Sequence, residues 1–257
     1  MKPRGYSVTA LPGVPLVRPG DDLCRVVSDA LAAAEMALED GDVVVLAQKI
    51  VSKAEGRQVA LASVTPSPAA LDLAAQTGKD ARLVQLILSE SAEVMRVRPN
   101  ILIVRHKLGL VLANAGIDQS NVSEEPGAGP QALLLPLDPD ASAARLRDDL
   151  NAASGRTVAV LVIDSLGRAW RLGTAGTAIG AAGLPALLDL RGQPDLTGRK
   201  LESSELALAD EIAAAASLAM GQAAEGTPIV IVRGLAIGGA ETPARTLVRP
   251  RHMDLFP

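Results

Sequence analysis

The chain has 257 residues, carries a net charge of −4 and is 48% hydrophobic, although it contains only one Phe, one Tyr and one Trp. Nucleic-acid platforms usually combine aromatic stacking with a basic surface, so this composition disfavours a nucleic-acid partner. One cysteine and two histidines exclude an intrachain disulfide and the usual zinc site.

The N-terminal residues lack the apolar stretch of a signal peptide, and no apolar run approaches the roughly 20 residues that span a bilayer. We therefore expect a cytoplasmic protein with no membrane partner. The pattern then predicts a strand over Tyr6–Leu11, a helix that begins near Leu23 with Asp21 or Asp22 as its cap, and a buried strand over Asp42–Ala47.

The rest of the chain alternates irregularly between helix and strand patterns. Up to Pro130 we expect two helical pieces between Pro66 and Val97 broken near Gly78, a hairpin of Ile101–Arg105 and Leu110–Ala113, and a loop over Ser123–Pro130. Beyond it we expect a helix over Ala141–Ala153 and a long helix from Ser203 or Ser204 to Met220. The predicted strands of this part are Thr157–Ile163, Ala178–Gly183 and Ile229–Val232. Because hairpins interrupt the strand–helix–strand rhythm, the pattern predicts an α+β (mixed α/β) fold. We expect residues 1–257 to form one unit of two intertwined subdomains with mixed sheets and packed helices.

Two aspartates end apolar runs beside small residues. Asp118 follows Ala113-Asn114-Ala115-Gly116-Ile117, and Asp164 follows Val160-Leu161-Val162-Ile163. Hard divalent cations prefer oxygen ligands, and Mg²⁺ commonly shares the phosphate oxygens of a nucleotide, so both positions suit a metal–phosphate site. The alternative is that each Asp begins a turn.

The common phosphate-binding motifs are absent from the sequence. Gly78-Lys79 is followed by Asp80 rather than Ser or Thr, and no Gly-x-Gly-x-x-Gly follows a strand. The glycines at 173, 176, 180 and 183 precede the apolar stretch Leu184–Leu190 rather than a capped helix, which favours a packing role. A nucleotide would have to bind in some other arrangement.

An ordered series of motifs extends over nearly the whole chain. It comprises Gln48-Lys49-Ile50-Val51-Ser52-Lys53-Ala54-Glu55-Gly56-Arg57, residues 113–122, Asp164-Ser165-x-Gly167-Arg168-x-Trp170-Arg171-x-Gly173, Ala178-Ile179-Gly180-x-Ala182-Gly183, Asp195-x-x-Gly198-Arg199-x-Leu201, Ala209-Asp210-Glu211-Ile212-Ala213 and Val232-Arg233-Gly234. The series closely resembles the coenzyme F420-0:L-glutamate ligases, also called F420 γ-glutamyl ligases. The likeness runs from about Leu11 to Phe256 and is to the stand-alone form of the family.

The resemblance implies a GTP-dependent ligation. The acid group on the lactyl-phosphate arm of F420-0 would be activated as an acyl phosphate and joined to the amine of L-glutamate, with release of GDP and phosphate, and further γ-linked glutamates could follow. It also implies Mg²⁺ or Mn²⁺, two ions per site, with K⁺ as a further candidate, and a homodimer. Two alternatives stay open: the same chemistry on a dehydro or otherwise modified F420 precursor, and a catalytically silent F420-binding protein.

The resemblance also assigns residues to the metal site. Asp118 and Asp164 match the family's metal ligands, and Ser165 stands where the family usually has Thr, so a hydroxyl is retained for the metal or a phosphate. Gln222 falls at a second-metal position, with Glu225 as the alternative.

The nucleotide contacts implied by the resemblance involve several segments. Lys53 matches a nucleotide-contacting lysine that could neutralise the transferring phosphate and completes a catalytic set with Asp118 and Asp164; its alternative is a solvated lysine. Asn121 matches another nucleotide contact. The remaining positions are Pro12, Gly13, Val14, Pro15, Ala47, Gln48, Met220, Gly221, Gln222 and Gly226.

Two arginines flank the only tryptophan. Arg168 and Arg171 could bind the acidic tail of the deazaflavin substrate, or they could form structural ion pairs with Asp210 and Glu211.

Overall fold

The computed structural model describes residues 5–120, 122 and 129–254. The strands are β1 (Ser7–Ala10), β2 (Val43–Ala47), β3 (Gln58–Ala60), β4 (Ser91–Arg98), β5 (Ile101–His106), β6 (Val111–Ala113), β7 (Gln131–Leu133), β8 (Ala159–Arg168), β9 (Arg171–Ala182), β10 (Leu188–Asp189), β11 (Glu205–Leu206) and β12 (Ile229–Arg233). The α-helices are α1 (Leu23–Ala33), α2 (Gln48–Ala54), α3 (Pro68–Thr77), α4 (Ala81–Ser89), α5 (Pro139–Ser154) and α6 (Leu208–Met220).

The central element is a mixed five-stranded sheet with the order β1-β12-β2-β8-β9. Strands β2 and β8 are parallel, with Ala47 opposite Ile163, and the other neighbouring pairs are antiparallel. The parallel pair explains the continuous apolar runs in both strands, because such strands are buried on both faces. The fold is α+β, as the sequence pattern predicts.

Each face of this sheet is covered by helices. One apolar cluster joins α1 and α5 to side chains such as Val44, Leu46, Val160 and Val162, and a second joins α6 to Val43, Val45, Leu161 and Ile163. Because successive strand residues point to opposite faces, the alternate residues of β2 and β8 divide between the two clusters.

A third apolar cluster lies between α3, α4 and the antiparallel sheet β4-β5-β6. It is built from residues between Leu61 and Leu134, separate from the two clusters of the central sheet. Among the described residues, the central sheet and the sheet β4-β5-β6 therefore pack against different apolar clusters. The division of the chain into two subdomains stays a prediction.

Close backbone packing accounts for two of the glycines in β9. A Cβ on Gly176 would lie 2.3 Å from the carbonyl oxygen of Ala213 in α6, and a Cβ on Gly180 would lie 2.3 Å from that of Pro139 in α5. Both helices thus approach this strand more closely than any side chain permits, as the packing interpretation of these glycines predicts. A Cβ on Gly183 would also meet backbone, at 2.9 Å from the oxygen of Val158, whereas a Cβ on Gly173 would have nothing within 4 Å.

Among the described strands β9 lies at the edge of the central sheet, and aspartates accept hydrogen bonds from two of its N–H groups. Asp140 at the start of α5 accepts hydrogen bonds from the backbone N–H of Ala181 and Ala244, and Asp210 in α6 accepts one from Ala178 at 2.9 Å. Burial raises the pKa of Asp210. These bonds protect an edge that could otherwise pair with another strand.

Three sequence predictions about elements are wrong at their boundaries. Residues 91–98 form β4 rather than continuing a helix, because they pair with β5, and their burial alternates with the period of a strand. The last long helix begins at Leu208 rather than at Ser203 or Ser204, because Glu205 and Leu206 pair with β10. Strand β8 continues to Arg168, so Asp164 lies within the strand instead of ending it.

Other predicted elements are confirmed. Asp22 is the residue that caps α1, since its carboxylate accepts from the N–H groups of Cys24 and Arg25. The hairpin of β5 and β6 turns at residues 107–110. Most of the predicted loop Ser123–Pro130 lies outside the described residues. In the described part of the chain, no helix combines the length and the apolar character that a bilayer crossing requires.

Candidate functional site

A cavity of about 260 Å³ opens at the edge of the sheet where the parallel strand β2 ends. Its lining comes from the start of α2, the middle of β8, the last turns of α6 and the segment that joins α6 to β12, together with Ser120. The lining residues include Gln48, Lys49, Asp164, Ser165, Ser217, Gln222, Glu225 and Thr227. Ligands of α/β sheets commonly bind at the carboxyl ends of parallel strands, where chains leave the sheet and their side chains converge.

Asp164 and Ser165 reach the cavity because β8 extends beyond the end of its parallel partner β2. Ile163 is opposite Ala47, the last residue of β2, so the next two residues of β8 have only β9 as a strand neighbour. Asp164 is half-buried, and its Oδ1 accepts a hydrogen bond from the backbone N–H of Ser165 at 2.8 Å.

Asp118 approaches the same region from a different part of the chain. Its backbone pairs with that of Leu133 in both directions, which fixes its position after the 3₁₀ turn Asn114–Gly116. Its Oδ2 accepts a hydrogen bond from Gln48 Nε2 at 3.1 Å and lies 3.3 Å from Lys49 Nζ. Gln48 is buried, and because its Oε1 accepts from Ser52 Oγ at 2.9 Å, its NH₂ group faces Asp118.

The two aspartates influence each other electrostatically. Burial raises the pKa of Asp164 to about 6, and the negative charge of Asp118 also raises it; the Ser165 N–H bond and the charge of Lys49 act in the opposite direction. A carboxylate held in this way gains from a nearby cation, because a positive charge offsets both the burial and the like-charge repulsion.

A chain of hydrogen bonds holds Gln222 over the cavity. Ser165 Oγ donates to Gln222 Oε1 at 2.7 Å, and Gln222 Nε2 donates to Ser217 Oγ in α6 at 2.8 Å. The alternative residue, Glu225, instead accepts from the backbone N–H of Ala223 at 2.8 Å and closes its own loop. Gln222 is thus the residue of this loop whose oxygen faces Ser165.

The donor set fits a hard divalent cation. Two carboxylates, a hydroxyl and an amide oxygen are gathered at one edge of the sheet, and all are oxygen ligands of the kind that Mg²⁺ and Mn²⁺ accept. Within the described residues no three His, Cys, Asp or Glu side chains form a metal cluster.

The other predicted site residues divide into three groups. Ala47, Met220, Gly221 and Gly226 line the cavity with Gln48 and Gln222. Residues Pro12–Pro15 do not line it, but they follow β1 at the same edge of the sheet, since the Leu11 N–H donates to Ile229 O at the start of β12. Asn121 lies outside the described residues.

The structure contradicts the alternative interpretation of Lys53 as a solvated lysine. It is buried near the end of α2, one turn beyond Lys49, and does not line the cavity. Its proposed contact with a nucleotide stays a prediction.

The arginines around Trp170 lie at the far end of the β8–β9 hairpin and are exposed, as is Trp170 itself. No ion pair joins Arg168 or Arg171 to Asp210 or Glu211 in the described part of the chain. The interpretation of these arginines as partners in structural ion pairs is therefore wrong. Their contact with the acidic tail of the substrate stays a prediction.

Two residues of the site were not singled out from the sequence. Lys49 contacts Asp118, and Ser217 holds the amide of Gln222. Lys49 directly follows Gln48 at the end of a buried strand, a position that could have marked it. Ser217 lies in an Ala-rich helix, where nothing in the pattern distinguishes it.

Comparison with known proteins gives consistent matches. The sequence model of a family described as F420-0:Gamma-glutamyl ligase matches residues 13–234. The coenzyme F420:L-glutamate ligase of Methanothermobacter thermautotrophicus is 46% identical over 254 residues, covering 98% of this chain and 99% of that protein. Enzymes of the same name from Methanopyrus kandleri and Archaeoglobus fulgidus are 45% and 44% identical and cover 98% and 97% of this chain, and 99% and 96% of their own lengths.

Proposed function

Because the chain belongs to the F420-0:gamma-glutamyl ligase family, we propose that it joins L-glutamate to coenzyme F420-0 at the expense of GTP. The observation that carries the proposal is that Asp164, Ser165 and Gln222 line one cavity. Asp118 does not line it, but it contacts the lining residues Gln48 and Lys49, and its charge acts on Asp164. A protein that only bound the deazaflavin would not need such a set of oxygen ligands.

The reaction requires an activated acid, since a carboxylate is a poor electrophile. In the first step a carboxylate oxygen of F420-0 attacks the γ-phosphorus of GTP, and the bond to the GDP oxygen breaks. In the second step the free amine of glutamate attacks the acyl carbon, phosphate leaves, and the nitrogen loses a proton to solvent. No nucleophile from the protein is needed, and catalysis rests on positioning and charge neutralisation.

The chain's own residues would supply this positioning. Asp118, Asp164, Ser165 and Gln222 would hold Mg²⁺ or Mn²⁺, two ions being the family expectation and K⁺ a further candidate. When bound, the metal supplies Lewis-acid neutralisation of phosphate charge. Gln48 orients Asp118, and Ser217 orients Gln222, so both ligands are held by neighbouring side chains before any ion arrives.

The nucleotide would lie along the same edge of the sheet. Three segments of the chain meet at this edge, namely residues 12–15 after β1, residues 47–49 at the end of β2 and residues 220–228 after α6. The second and third of them contribute to the lining of the cavity. Phosphates would point toward Lys49 and the carboxylate-bound metal, leaving the base and ribose for the backbone of the outer segments.

We also propose that the protein is a homodimer. The far end of the β8–β9 hairpin exposes Trp170 and Leu172, whose relative exposures are 88% and 100%. Large apolar side chains exposed together are typical of an interaction surface. Light scattering on the purified protein would give about twice the 26.4 kDa chain mass if this holds.

The direct test is a mass-resolved assay of purified protein with F420-0, L-glutamate, GTP and Mg²⁺ or Mn²⁺. We expect F420-0 to gain glutamate-sized increments in step with GDP release, and we expect Asp164→Ala to abolish both. ATP in place of GTP, and a dehydro precursor in place of F420-0, separate nucleotide and acceptor preference. Binding of F420-0 without any increment would point to the silent binder and reject the proposal.

A further inference from the structure

The ammonium group of Lys49 contacts one oxygen of the Asp118 carboxylate, which the proposed metal site would use. Its Nζ lies 3.3 Å from Asp118 Oδ2 and 3.4 Å from Ser120 Oγ, and its side chain is about one-third exposed. Among the described residues that line the cavity, Lys49 is the only one with a basic side chain. Its positive charge also acts on Asp164.

An ammonium group and a divalent ion cannot share one carboxylate oxygen without strong repulsion, because two like charges a few ångströms apart interact unfavourably at any protein dielectric. Gln48 Nε2 can keep its bond to Asp118 when a metal arrives, since it is neutral and buried. A metal that binds Asp118 Oδ2 therefore requires Lys49 to move away. Its flexible four-carbon stem and partial exposure allow this movement without unfolding α2.

We infer that Lys49 is a positioning residue that couples metal binding to nucleotide binding: it neutralises Asp118 in the empty site and transfers its ammonium group to a nucleotide phosphate when the metal takes its place. The inference rests on the proposed function, because that function supplies both the metal and the phosphate. It adds a specific consequence, namely that each ligand strengthens the binding of the other.

The direction of the coupling follows from the charges. Metal alone must displace Lys49 from Asp118 and leave the ammonium without that partner, so metal alone binds weakly. Nucleotide alone must draw Lys49 away from Asp118 and leave the carboxylate beside Asp164 unbalanced. When both bind, the metal neutralises the carboxylates and the phosphate neutralises Lys49, and linkage requires the two effects to be equal.

The test measures Mn²⁺ binding by electron paramagnetic resonance and GDP binding by calorimetry, each with and without the other ligand, in the wild type and in Lys49→Met. For the variant we expect Mn²⁺ alone to bind about two- to fivefold more tightly, since the partly exposed ion pair with Asp118 no longer competes. We expect GDP in the presence of Mn²⁺ to bind about tenfold or more weakly, because one charge-assisted hydrogen bond is lost. The mutual strengthening of the two ligands should shrink by a similar factor.

Lys79→Met is the matched control, since Lys79 lies between α3 and α4, away from the cavity. It should leave both affinities as in the wild type. Lys49→Arg keeps the charge and should restore most of the GDP affinity that Lys49→Met loses. Thermal melting of each variant shows whether it is folded.

Unchanged Mn²⁺ and GDP affinities in a folded Lys49→Met would overturn the inference and leave a surface ion pair. Weaker binding of Mn²⁺ alone would overturn it as well, because Lys49 would then assist the metal rather than compete with it. A failure of the proposed function would look different. In that case the wild type would bind Mn²⁺ and GDP cooperatively but would add no glutamate to F420-0.

Discussion

Ser165 and Gln222 are joined by a 2.7 Å hydrogen bond that links the middle of β8 to the segment following α6. Both side chains line the cavity. Ser217 fixes the other end of the Gln222 amide. If this pair ligates a metal, as proposed above, its disruption should be measurable as a loss of metal affinity.

Ser165→Ala should weaken Mn²⁺ binding about tenfold or more, because it removes a ligand oxygen and leaves Gln222 Oε1 without its donor. Ser165→Thr keeps the hydroxyl and should bind Mn²⁺ within about threefold of the wild type. Mn²⁺ titration in the presence of GDP measures both. Equal affinities for the alanine and threonine variants would show that this hydroxyl is not a ligand.

Asp164→Asn should increase the stability of the metal-free protein while abolishing ligase activity. The pKa of Asp164 is raised to about 6, above its ordinary value of 3.8, so the folded state holds this proton more tightly than the unfolded state does. Stability is then lost as pH rises from about 4 through 6, and asparagine removes that loss. We expect a gain of about 1–2 kcal/mol at pH 8 and little gain at pH 4.

Chemical denaturation with EDTA present, at pH 4, 6 and 8, measures this effect. Asp29→Asn, at an exposed position paired with Arg25, serves as the control and should show no comparable pH-dependent gain. A destabilised Asp164→Asn at pH 8 would mean that the carboxylate is a structural requirement rather than a buried charge held for function.

The limits of prediction from sequence are visible in particular residues. Asp164, Ser165 and Gln222 could be assigned because each lies in a motif that resembles a known family. Lys49 lies in such a motif too, at the end of a buried strand, but its contact with Asp118 could not be predicted, because it joins segments 69 residues apart and no local pattern records such a pairing. The start of α6 was misplaced for a similar reason, since the pairing of Leu206 with Leu188 overrides the helical pattern nearby.

Glu90→Gln should destabilise the protein by about 2–3 kcal/mol, because it removes the buried partner of a charged side chain. Arg57 Nη2 donates to Glu90 Oε2 at 2.5 Å, and His106 Nε2 lies 3.7 Å from the same oxygen. This cluster connects the end of α4 to the hairpin of β5 and β6. The pKa of Glu90 is lowered, chiefly by His106 and against the effect of burial, with Arg57 and Lys107 contributing.

A group with a lowered pKa stabilises the fold above its unfolded pKa and loses that contribution as pH falls through the folded value. The difference between wild type and Glu90→Gln should therefore be full at pH 7 and shrink below about pH 4. Urea denaturation at both pH values measures it. Glu202→Gln, in an exposed pair with Arg199, is the control and should change stability by less than about 0.5 kcal/mol; equal effects of the two substitutions would contradict the prediction.

Gly176→Ala should impair the active site through the fold. The added methyl would meet the backbone oxygen of Ala213 at 2.3 Å and the Cβ of Ser217 at 2.6 Å, and backbone cannot rotate away as a side chain can. Helix α6 must then shift outward, which moves Ser217 and through it Gln222. We expect a loss of about 1–3 kcal/mol in stability together with weaker Mn²⁺ binding. Gly167→Ala is the control, because Gly167 lies in the same hairpin and has nothing within 4 Å of the new methyl. It should leave stability and Mn²⁺ affinity nearly unchanged. If Gly167→Ala behaved like Gly176→Ala, the effect would come from the hairpin rather than from the contact with α6.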